Sequence, residues 1–211
     1  MNELSPPPQD GSCPDRPVSC PTIATYDRDA ATYALATRGL DVSPERAAFL
    51  ALLPERARIL DAGCGSGRDT LAFRDMGHEV SAFDASHGLA AQAGALTGLP
   101  IRVMRFQDLD DEGCHDGIWA MSSLLHVPSA ELDKVFGRLH RALVPGGVLF
   151  CCFKDGDGER RDGERHFTDL DLRSLEDLAV RSGFRPERLW SNQGGRAGAR
   201  SRWSNLLARK A

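Results

Sequence analysis

The sequence predicts an α/β fold in which parallel strands alternate with helices, and three observations support this. Residues 57–70 read ARILDAGCGSGRDT, an apolar run followed by alternating glycines and a helix-compatible segment. Short apolar runs then alternate with segments of helical periodicity up to Gly183, as in βα units built around a parallel sheet. Residues 186–192 and 201–209 read as two strands joined by a glycine- and arginine-rich loop, which predicts a closing antiparallel hairpin.

Length and charge restrict the class of protein. The chain has 211 residues, which suits one α/β domain with a substantial core. The formal net charge is −4 and the charges are well mixed, so we expect no basic face for nucleic acid. No apolar stretch is long enough to span a bilayer, and no basic-then-apolar leader is present. We therefore expect a cytoplasmic protein without a membrane partner.

The cysteines form no convincing metal-binding spacing, and we predict no metal site. Cys151 and Cys152 are adjacent within a predicted strand, so their side chains should point to opposite faces of the sheet. We interpret all of them as reduced thiols. The six cysteines are Cys13, Cys20, Cys64, Cys114, Cys151 and Cys152.

The N-terminal part divides into a tail and two helical segments. Residues 1–21 hold half of the 12 prolines and almost no large apolar side chains, which predicts a disordered tail. Residues 22–211 are then the domain. Residues 23–38 read as one helix, and Ser43 is predicted to cap a second one, so that the two helices occupy about 23–53.

The remaining elements follow from apolar periodicity. Residues 154–166 read KDGDGERRDGERH, without periodicity, and predict a mobile loop at the C-terminal edge of a central strand. Ser129 is predicted to cap one helix, and Thr168 to cap the last helix with Asp171 in a capping box. Strands are predicted over 78–84, 101–106, 118–121 and 148–153, and helices over 68–76, 86–95 and from residue 129.

The glycine turn suits a nucleoside better than a dinucleotide. Glycine is required where the backbone takes positive φ or approaches a ligand closely, and the following helix start leaves N–H groups facing the turn. The spacing is G-x-G-x-G, because Arg68 stands where a dinucleotide fold has its last glycine. An acid at the strand end, Asp61, would also repel a pyrophosphate.

With DAGCGSG after a strand, the sequence resembles the first motif of the class I S-adenosylmethionine-dependent methyltransferases. VSAFDAS (80–86), MRFQDL (104–109), HDGIWAMSSLLHVP (115–128) and LVPGGVLF (143–150) resemble later motifs, so the resemblance covers roughly residues 43–211. It implies a Rossmann-like, seven-stranded, mostly parallel sheet of order 3-2-1-4-5-7-6, with helices on both faces and S-adenosyl-L-methionine as cofactor. The short layout and SSLLHVP also resemble the tellurite-resistance and thiol methyltransferase branch.

The resemblance assigns cofactor contacts to the ends of the first strands. Asp84, 21 residues after Gly63, should accept both ribose hydroxyls, although it could instead cap the next helix. Asp61 should receive the amino group, or cap a turn. Asp108 should bind the adenine amine, with Asp110 and Asp111 as neighbouring alternatives, and the Leu109 N–H a ring nitrogen. The implied cofactor site is Asp61, Gly63, Cys64, Gly65, Gly67, Arg68, Asp84, Ala85, Gln107, Asp108, Leu109 and Met121.

Two further residues each have two interpretations. Arg68 opposes the dipole at its helix start, so it either holds the cofactor carboxylate or a sheet-edge acid, or is simply solvated. His126 follows strand four, at the edge that in the family faces the transferred methyl group. It is the candidate general base because its ordinary pKa lies near neutrality, and the alternative is a structural or cofactor-contacting residue. Trp119 is expected to pack in the core.

The substrate side carries several cations, which suggests a small substrate with a negative charge or an oxyanion. The alternative is that these are solvated loop charges. Methyl transfer needs little acid–base help, so we expect catalysis mainly by positioning. Candidate substrate residues are Tyr26, Tyr33, Ser122, Lys154, Arg165, Trp190 and Arg202, with Arg161, His166, Gln193, Arg196, Arg200 and Trp203 nearby in sequence.

These observations predict a methyltransferase acting on a small molecule. A protein or RNA methyltransferase would require a basic surface around the pocket, and the net charge argues mildly against it. A cofactor-binding protein without catalysis is the third interpretation. The sequence does not indicate an oligomeric state.

Overall fold

The computed structural model describes residues 20–195 and 201–211. Cys13, most of the predicted tail, and Arg196 and Arg200 of the closing loop lie outside the described residues. Within these ranges, no helix combines the length and the apolar character that crossing a membrane requires.

A seven-stranded sheet forms the centre of the fold, in the order β3-β2-β1-β4-β5-β9-β8. The first five strands in this order are parallel, and β9 is antiparallel to both of its neighbours. The predicted order is confirmed, because β6 and β7 form a separate two-stranded sheet. The strands are β1 Arg58–Ala62, β2 Glu79–Asp84, β3 Ile101–Val103, β4 His115–Ala120, β5 Leu143–Lys154, β6 Asp157–Asp162, β7 Arg165–Leu170, β8 Phe184–Gly194 and β9 Ser201–Lys210.

Seven helices accompany the strands in the described ranges, and the apolar stripe predicted for the sixth is buried. Leu132, Val135, Phe136 and Leu139 are all inaccessible or nearly so, as their i, i+3, i+4, i+7 spacing requires. Two single 3₁₀ turns, Phe106–Asp108 and Leu124–His126, follow β3 and β4. The helices are α1 Pro21–Arg28, α2 Ala30–Arg38, α3 Ser43–Leu50, α4 Arg68–Asp75, α5 His87–Thr97, α6 Ser129–Ala142 and α7 Leu172–Arg181.

Two apolar layers cover the sheet, one on each face. Cys151 belongs to the layer that contains Phe136, and Cys152 to the layer that contains Trp119. The prediction of opposite faces is thus confirmed, and the five cysteines of the described ranges are all free thiols. Trp119 is fully buried and stacks on Phe150 at a centroid distance of 4.2 Å, so it packs in the core as predicted.

The helix predicted over 23–38 is two helices. The chain leaves helical geometry at Asp29, where φ is −101° and ψ is 12°. The break lets α1 turn toward α5 and β7, where Asp27 accepts hydrogen bonds from the Ser86 hydroxyl (2.6 Å) and the Gly88 N–H (2.9 Å). Tertiary contacts therefore override a continuous helical propensity.

The predicted caps are also corrected. Ser43 and Ser129 are the first residues inside their helices, and their N–H groups donate to the carboxylates of Asp41 (2.9 Å) and Glu159 (2.6 Å). A carboxylate outside each helix thus satisfies an N–H group that the helix leaves free.

The cap of the last helix is Asp171 rather than Thr168. Asp171 accepts from the Ser174 N–H at 2.7 Å. Thr168 is buried in β7, where its hydroxyl donates to the Val127 carbonyl at 2.8 Å.

The mobile loop predicted over 154–166 is wrong, because β6 and β7 form a regular hairpin across it. Its strands are held by ion pairs, such as Arg160–Asp169 (2.5 Å) and Arg165–Asp162 (2.7 Å), so no apolar alternation marks them. The signal that could have revealed it is Gly163-Glu164 between two charged segments, since glycine at the first of two loop residues is typical of one class of two-residue hairpin turn. Gly163 has the positive φ, +61°, that such a turn requires.

Candidate active site

A cleft of about 620 Å³ opens at the C-terminal ends of β1, β2, β4 and β5. Open α/β sheets bind ligands at this edge, and the volume is in the range of small-molecule and cofactor sites. Helices α1 to α3, the turns after β3 and β4, the β6–β7 hairpin and the ends of β8 and β9 form its other walls.

The glycine turn after β1 forms the floor of the cleft. Gly63, Gly65 and Gly67 have φ values of +75°, +56° and +83°, a region that favours glycine. A Cβ on Gly63 would lie 2.5 Å from the Ser123 Cβ, so this position admits no side chain. Gly67 differs from its prediction: it lies outside the cleft lining, and a Cβ there would be 3.0 Å from Ala93 of α5, so it serves helix packing.

Asp84 ends β2 and is only 9% exposed, yet it lines the cleft. Its Oδ2 accepts from the Gly65 N–H and its Oδ1 from the Ser86 N–H, both at 2.8 Å. Burial raises the pKa of this carboxyl group above its usual range. Ser86 caps α5 with its own hydroxyl, which accepts from the Leu89 N–H (3.1 Å), so the helix does not need Asp84 as its cap. Ala85 lines the cleft beside it.

Asp61 is the penultimate residue of β1 and is 3% exposed. The Thr70 hydroxyl donates to its Oδ2 at 2.5 Å. Burial, followed by the neighbouring charge of Asp69, raises the pKa of Asp61 to about 7. The carboxyl group therefore changes its ionisation near neutral pH while it lines the cleft together with Cys64.

Arg68 lines the cleft and is not simply solvated, because it pairs with Asp69 of its own helix. Its guanidinium donates to Asp69 at 2.7 Å and to the Thr37 carbonyl at 3.3 Å. Asp69 also accepts from Arg46 (2.8 Å) and from the indole N–H of Trp119 (3.0 Å). Two arginines thus share one buried carboxylate, which fixes α3 and α4 against the core.

The adenine contacts predicted after the third strand, Asp108 and Leu109, lie outside the cleft. Because β3 ends at Val103 and a 3₁₀ turn follows, Asp108 points away from the cleft and pairs with Arg105 at 3.1 Å. Leu109 is buried in the core, and its N–H donates to the Phe106 carbonyl at 3.3 Å. Neither residue lines the cleft. The wall here consists of Met104, Arg105, Phe106 and Gln107.

His126 lies in the cleft with both ring nitrogens hydrogen-bonded. Nδ1 is 2.7 Å from the carbonyl oxygen of His166, which can only accept, so Nδ1 carries the proton. The Tyr26 hydroxyl therefore donates to Nε2, at 2.8 Å. Burial lowers the pKa of His126 to about 4 and raises that of Tyr26. His126 is thus a neutral imidazole at physiological pH, and its lone pair is already engaged.

Helix α1 crosses the mouth of the cleft and is held at both sides. Thr22 accepts from the His166 N–H at 2.9 Å, on the β7 side. The Asp27 bonds to Ser86 and Gly88 hold it on the α5 side. Between these anchors, the Tyr26 ring packs edge-on against that of Tyr33 at 5.1 Å, and both rings line the cleft as predicted.

Four predicted substrate residues lie outside the cleft lining, since each has another partner. Lys154 lies 4.5 Å over the ring of Phe167, and Arg165 pairs with Asp162. Arg202 pairs with Asp155 at 3.3 Å. Trp190 packs against Phe150 in the core layer. Met121, Ser122 and Ser123 line the cleft as predicted, and so do Arg161, His166, Gln193 and Trp203.

The cleft residues that the sequence-based prediction did not include contain three polar ones that lie together: Glu45, Asn192 and Asn205. Glu45 comes from α3 and the two asparagines from β8 and β9. Asn205 is 2% exposed, but Arg202 and Ser204 precede it in β9, so no break in an apolar pattern marks it in the sequence. No local signal distinguishes Glu45 from a solvated helix residue.

One cluster of potential metal ligands lies away from the cleft. Ligand atoms of Asp111, Cys114 and His115 lie within 4.8 Å of one another. Asp111 already makes two bonds to the Arg102 guanidinium (2.7 and 2.8 Å) and one to His115 (2.7 Å). Because this cation already occupies the carboxylate, we assign no metal to the cluster.

The sheet order, the glycine turn and the buried acid after β2 define an α/β protein with a nucleoside-type site. Residues 59–147 match the family model of the methyltransferase domain. This segment carries the class I S-adenosylmethionine-dependent methyltransferase domain, and the described residues have the fold of that family. That family implies S-adenosylmethionine as the cofactor.

Individual relatives match parts or all of the chain. Malonyl-[acyl-carrier protein] O-methyltransferase of Enterobacter lignolyticus is 33% identical over 115 residues, which are 48% of this chain and 41% of that protein. The S-adenosyl-L-methionine-dependent Diels-Alderase iccD of Talaromyces variabilis is 36% identical over 105 residues, 45% of this chain and 35% of that protein. The match therefore spans less than half the length of either curated relative.

A solved structure matches over nearly the whole chain. The 1,6-didemethyltoxoflavin-N1-methyltransferase of Burkholderia thailandensis, with bound 1,6-didemethyltoxoflavin and S-adenosylhomocysteine, has a TM-score of 0.68 and 25% identity. The superposition covers 93% of each chain.

Proposed function

We propose that this protein transfers a methyl group from S-adenosylmethionine to a small-molecule acceptor. The observation that carries the proposal is the cleft itself. Its floor is the glycine turn, its side is the buried Asp84 carboxylate, and α1 crosses its mouth. The relatives named above support a small acceptor, because the Burkholderia enzyme was solved with one bound.

The residues present fit this cofactor. Asp84 keeps one carboxylate edge toward the cleft and would accept the two ribose hydroxyls. Gly63 and Gly65 bring bare backbone to the methionine portion, and Asp61 would receive its amino group. Ala85, Phe106 and Gln107 would enclose the adenine, whose exocyclic amine the sequence had assigned to Asp108. When bound, the cofactor supplies a methyl group on a positively charged sulfur, already activated for transfer.

This chain would contribute mainly orientation. Holding two reactants in line can lower a barrier by ~7–11 kcal/mol without a proton transfer. The Tyr26–His126 pair has no free base to offer in this structure, so we propose that it positions α1 over the cleft. Ser122 has a positive φ of +54° at the end of β4, a strained conformation of the kind found at functional sites. It presents its hydroxyl beside the Cys152 thiol at 3.5 Å.

A second candidate function uses the same cofactor site without methyl transfer. One relative is named as an S-adenosylmethionine-dependent Diels-Alderase, a name that indicates ring formation and not methyl transfer. Cofactor binding alone therefore does not distinguish the two functions. Resemblance to the tellurite-resistance and thiol methyltransferase branch stays a prediction.

Labelled transfer into a metabolite extract tests the proposal. The protein is incubated with S-adenosylmethionine carrying a labelled methyl group and a small-molecule extract, and products are identified by mass spectrometry. We expect a methylated product together with S-adenosylhomocysteine. Tight cofactor binding by calorimetry without any labelled product would contradict methyl transfer and favour the second candidate.

A further inference from the structure

We propose that Glu45, Asn192 and Asn205 form the acceptor pocket, and that this pocket selects a neutral, planar ring with N–H donors over an anionic substrate. The inference rests on the proposed function and specifies its substrate class. It replaces the negatively charged substrate that the sequence suggested.

The three residues meet at one end of the cleft. Asn205 of β9 lies directly opposite Cys152 of β5, whose thiol accepts from the Ser122 N–H at 3.2 Å. Burial, with the nearby Glu45 charge adding to it, raises the pKa of Cys152 to about 11. The group therefore lies beside the end of β4, and β1, β4 and β5 separate the strand of Asn205 from the strand of Asp84.

A directed chain of hydrogen bonds orients the three side chains. The Glu45 carboxylate can only accept, so the bond at 2.6 Å identifies Asn192 Nδ2 as the donor. Asn192 Oδ1 then accepts from Asn205 Nδ2 at 3.1 Å. Asn205 Nδ2 also faces the carbonyls of Trp190 (3.2 Å) and Trp203 (3.4 Å), so its hydrogens are directed to the protein.

What this chain offers a ligand is therefore mainly acceptor atoms. Two acceptor atoms of the group, the second Glu45 oxygen and Asn205 Oδ1, receive no hydrogen bond from the described residues, whereas Asn192 Nδ2 keeps one N–H beyond its bond to Glu45. Both oxygens lie in residues that are nearly buried, Glu45 at 9% and Asn205 at 2% exposure. Among the described residues, the one buried side-chain polar atom without a partner is Ser81 Oγ, so both oxygens are accessible from the cleft. A substrate that covers them without supplying an N–H donor would leave them unpaired, so N–H donors are favoured.

The charges around the pocket favour the same substrate class. Lys154 and Arg202 lie outside the cleft lining, and Arg46 and Arg68 share the carboxylate of Asp69. Arg161 lines the cleft and Arg165 bonds to Tyr26, but both belong to the β6–β7 hairpin and not to the strands and helix that carry Glu45, Asn192 and Asn205. Glu45 has a neutral amide as its partner instead of a cation. A carboxylate or phosphate on the substrate would approach this negative charge directly.

An aromatic wall favours a planar ring. Trp203 lines the cleft and is the cross-strand partner of Asn192. Beside it, a Cβ on Gly194 would be 3.2 Å from the Trp203 ring, so glycine leaves the indole uncovered. Aromatic side chains stack favourably on planar ligands, with the hydrogen-bonding group at one edge.

Matched probes test the inference by calorimetry. The probes are lumazine, 1,3-dimethyllumazine, in which both ring N–H donors of the dione are blocked, and the anion quinoline-2-carboxylate. They are titrated into the S-adenosylhomocysteine-loaded protein. We expect lumazine to bind at least about tenfold more tightly than either other probe, the effect of one charge-assisted hydrogen bond.

Glu45→Gln supplies the decisive variant, since it keeps size and the bond to Asn192 but turns an amide N–H₂ toward the cleft. We expect lumazine affinity to fall about tenfold and quinoline-2-carboxylate affinity to rise. Glu176→Gln on the exposed face of α7 is the control for the same change of charge, and should bind all three probes as the unaltered protein does.

Two outcomes would overturn the inference: tighter binding of quinoline-2-carboxylate than of lumazine by the unaltered protein, or identical probe binding by Glu45→Gln and Glu176→Gln. Binding of S-adenosylhomocysteine is measured first for each variant, and the titrations are repeated without it. Failure to bind S-adenosylhomocysteine would count against the proposed function, whereas the probe comparison would still decide the nature of the pocket.

Discussion

The two halves of the cleft are built differently. The cofactor half is formed by the glycine turn after β1 and the end of β2, and it joins residues close in sequence, such as Gly65 and Asp84, which are 19 apart. The acceptor half is formed by α1, α3, the β6–β7 hairpin and the ends of β8 and β9. It joins residues that are far apart in sequence: Glu45 and Asn192 are separated by 147 positions, and Thr22 and His166 by 144. One βαβ unit is sufficient to build the first half, whereas the second exists only after the whole chain has folded.

This difference predicts which substitutions affect the whole fold and which affect only the element that carries them. A substitution in the glycine turn acts on backbone that supports both β1 and β4, because Gly63 contacts Ser123. A substitution in α1 acts on an element with an exposed outer face that is held by a few side-chain bonds. We therefore expect the largest effects in the cofactor half.

The largest expected effect is that of Gly63→Ala. The new Cβ would lie 2.5 Å from the Ser123 Cβ at a φ of +75°. Left-handed backbone strain and overpacking together should lower the free energy of unfolding by about 2–5 kcal/mol, measured by urea titration. Gly98→Ala is the control, since its φ is +70° but nothing lies within 4 Å of the new Cβ.

Gly98→Ala should lose only the strain, about 1–2 kcal/mol. Equal losses of unfolding free energy for the two variants would show that the packing of the glycine turn against β4 contributes no additional stability. The comparison between the cofactor half and the acceptor half would then lose its main support.

The second prediction concerns Asp61, whose pKa is raised to about 7 by burial and by Asp69. The protonated form is favoured in the folded state, so this group's contribution to stability is present below its unfolded pKa near 4. It is lost as the pH rises to about 7. Asp61→Asn should therefore become more stable relative to the unaltered protein across this window, by about 2–4 kcal/mol.

Denaturation of the cofactor-free protein between pH 4 and 8 measures this difference. Asp116→Asn is the control, because the Arg58 guanidinium holds the pKa of Asp116 below its usual range. Its contribution is fully present above pH 5, so the difference for Asp116→Asn should stay constant from pH 5 to 8. A constant difference for Asp61→Asn as well would contradict the raised pKa.

The third prediction separates the two acids that the sequence had assigned to the cofactor. Asp84→Ala should weaken S-adenosylhomocysteine binding by about 1–3 kcal/mol, since the ribose hydroxyls lose their acceptor. Asp108→Ala should leave the affinity unchanged, because Asp108 lies outside the cleft and pairs with Arg105. Calorimetry measures both. Equal losses of affinity in the two variants would indicate that Asp108 also contacts the cofactor.

The same contrast explains how much the sequence could predict. The sheet order followed from the βα alternation and the resemblance, and Asp61, Gly63, Gly65 and Asp84 could be placed because motif and strand end coincide. Asp108 was misplaced because nothing in MRFQDL shows that the strand ends at Val103. A displacement of a few residues moves a side chain out of the cleft.

The sequence-based prediction of the acceptor half failed for a different reason. The β6–β7 hairpin has charged strands whose pairing depends on the partner strand, so single-sequence periodicity does not mark them. Lys154 and Arg165 were assigned to substrate from charge alone, but their positions are determined by Phe167 and Asp162. Glu45 and Asn192 are joined only by the packing of α3 against β8.

The smallest expected effect is that of Asp27→Asn in α1. Asp27 Oδ1 accepts from the Ser86 hydroxyl and the Gly88 N–H, and loss of its charge should weaken these bonds by about 0.5–1.5 kcal/mol. Because α1 is a peripheral element, this loss should appear as local opening rather than as lower global stability. Native-state hydrogen exchange should therefore speed up over Pro21–Arg28 and remain unchanged over Arg58–Ala62. Asp29→Asn, two residues along at the break between α1 and α2, is the control with the same change of charge and should have the smaller effect on exchange in α1. Uniformly faster exchange in both segments would mean that α1 opens only with the core, so that the acceptor half would be as firmly built as the cofactor half.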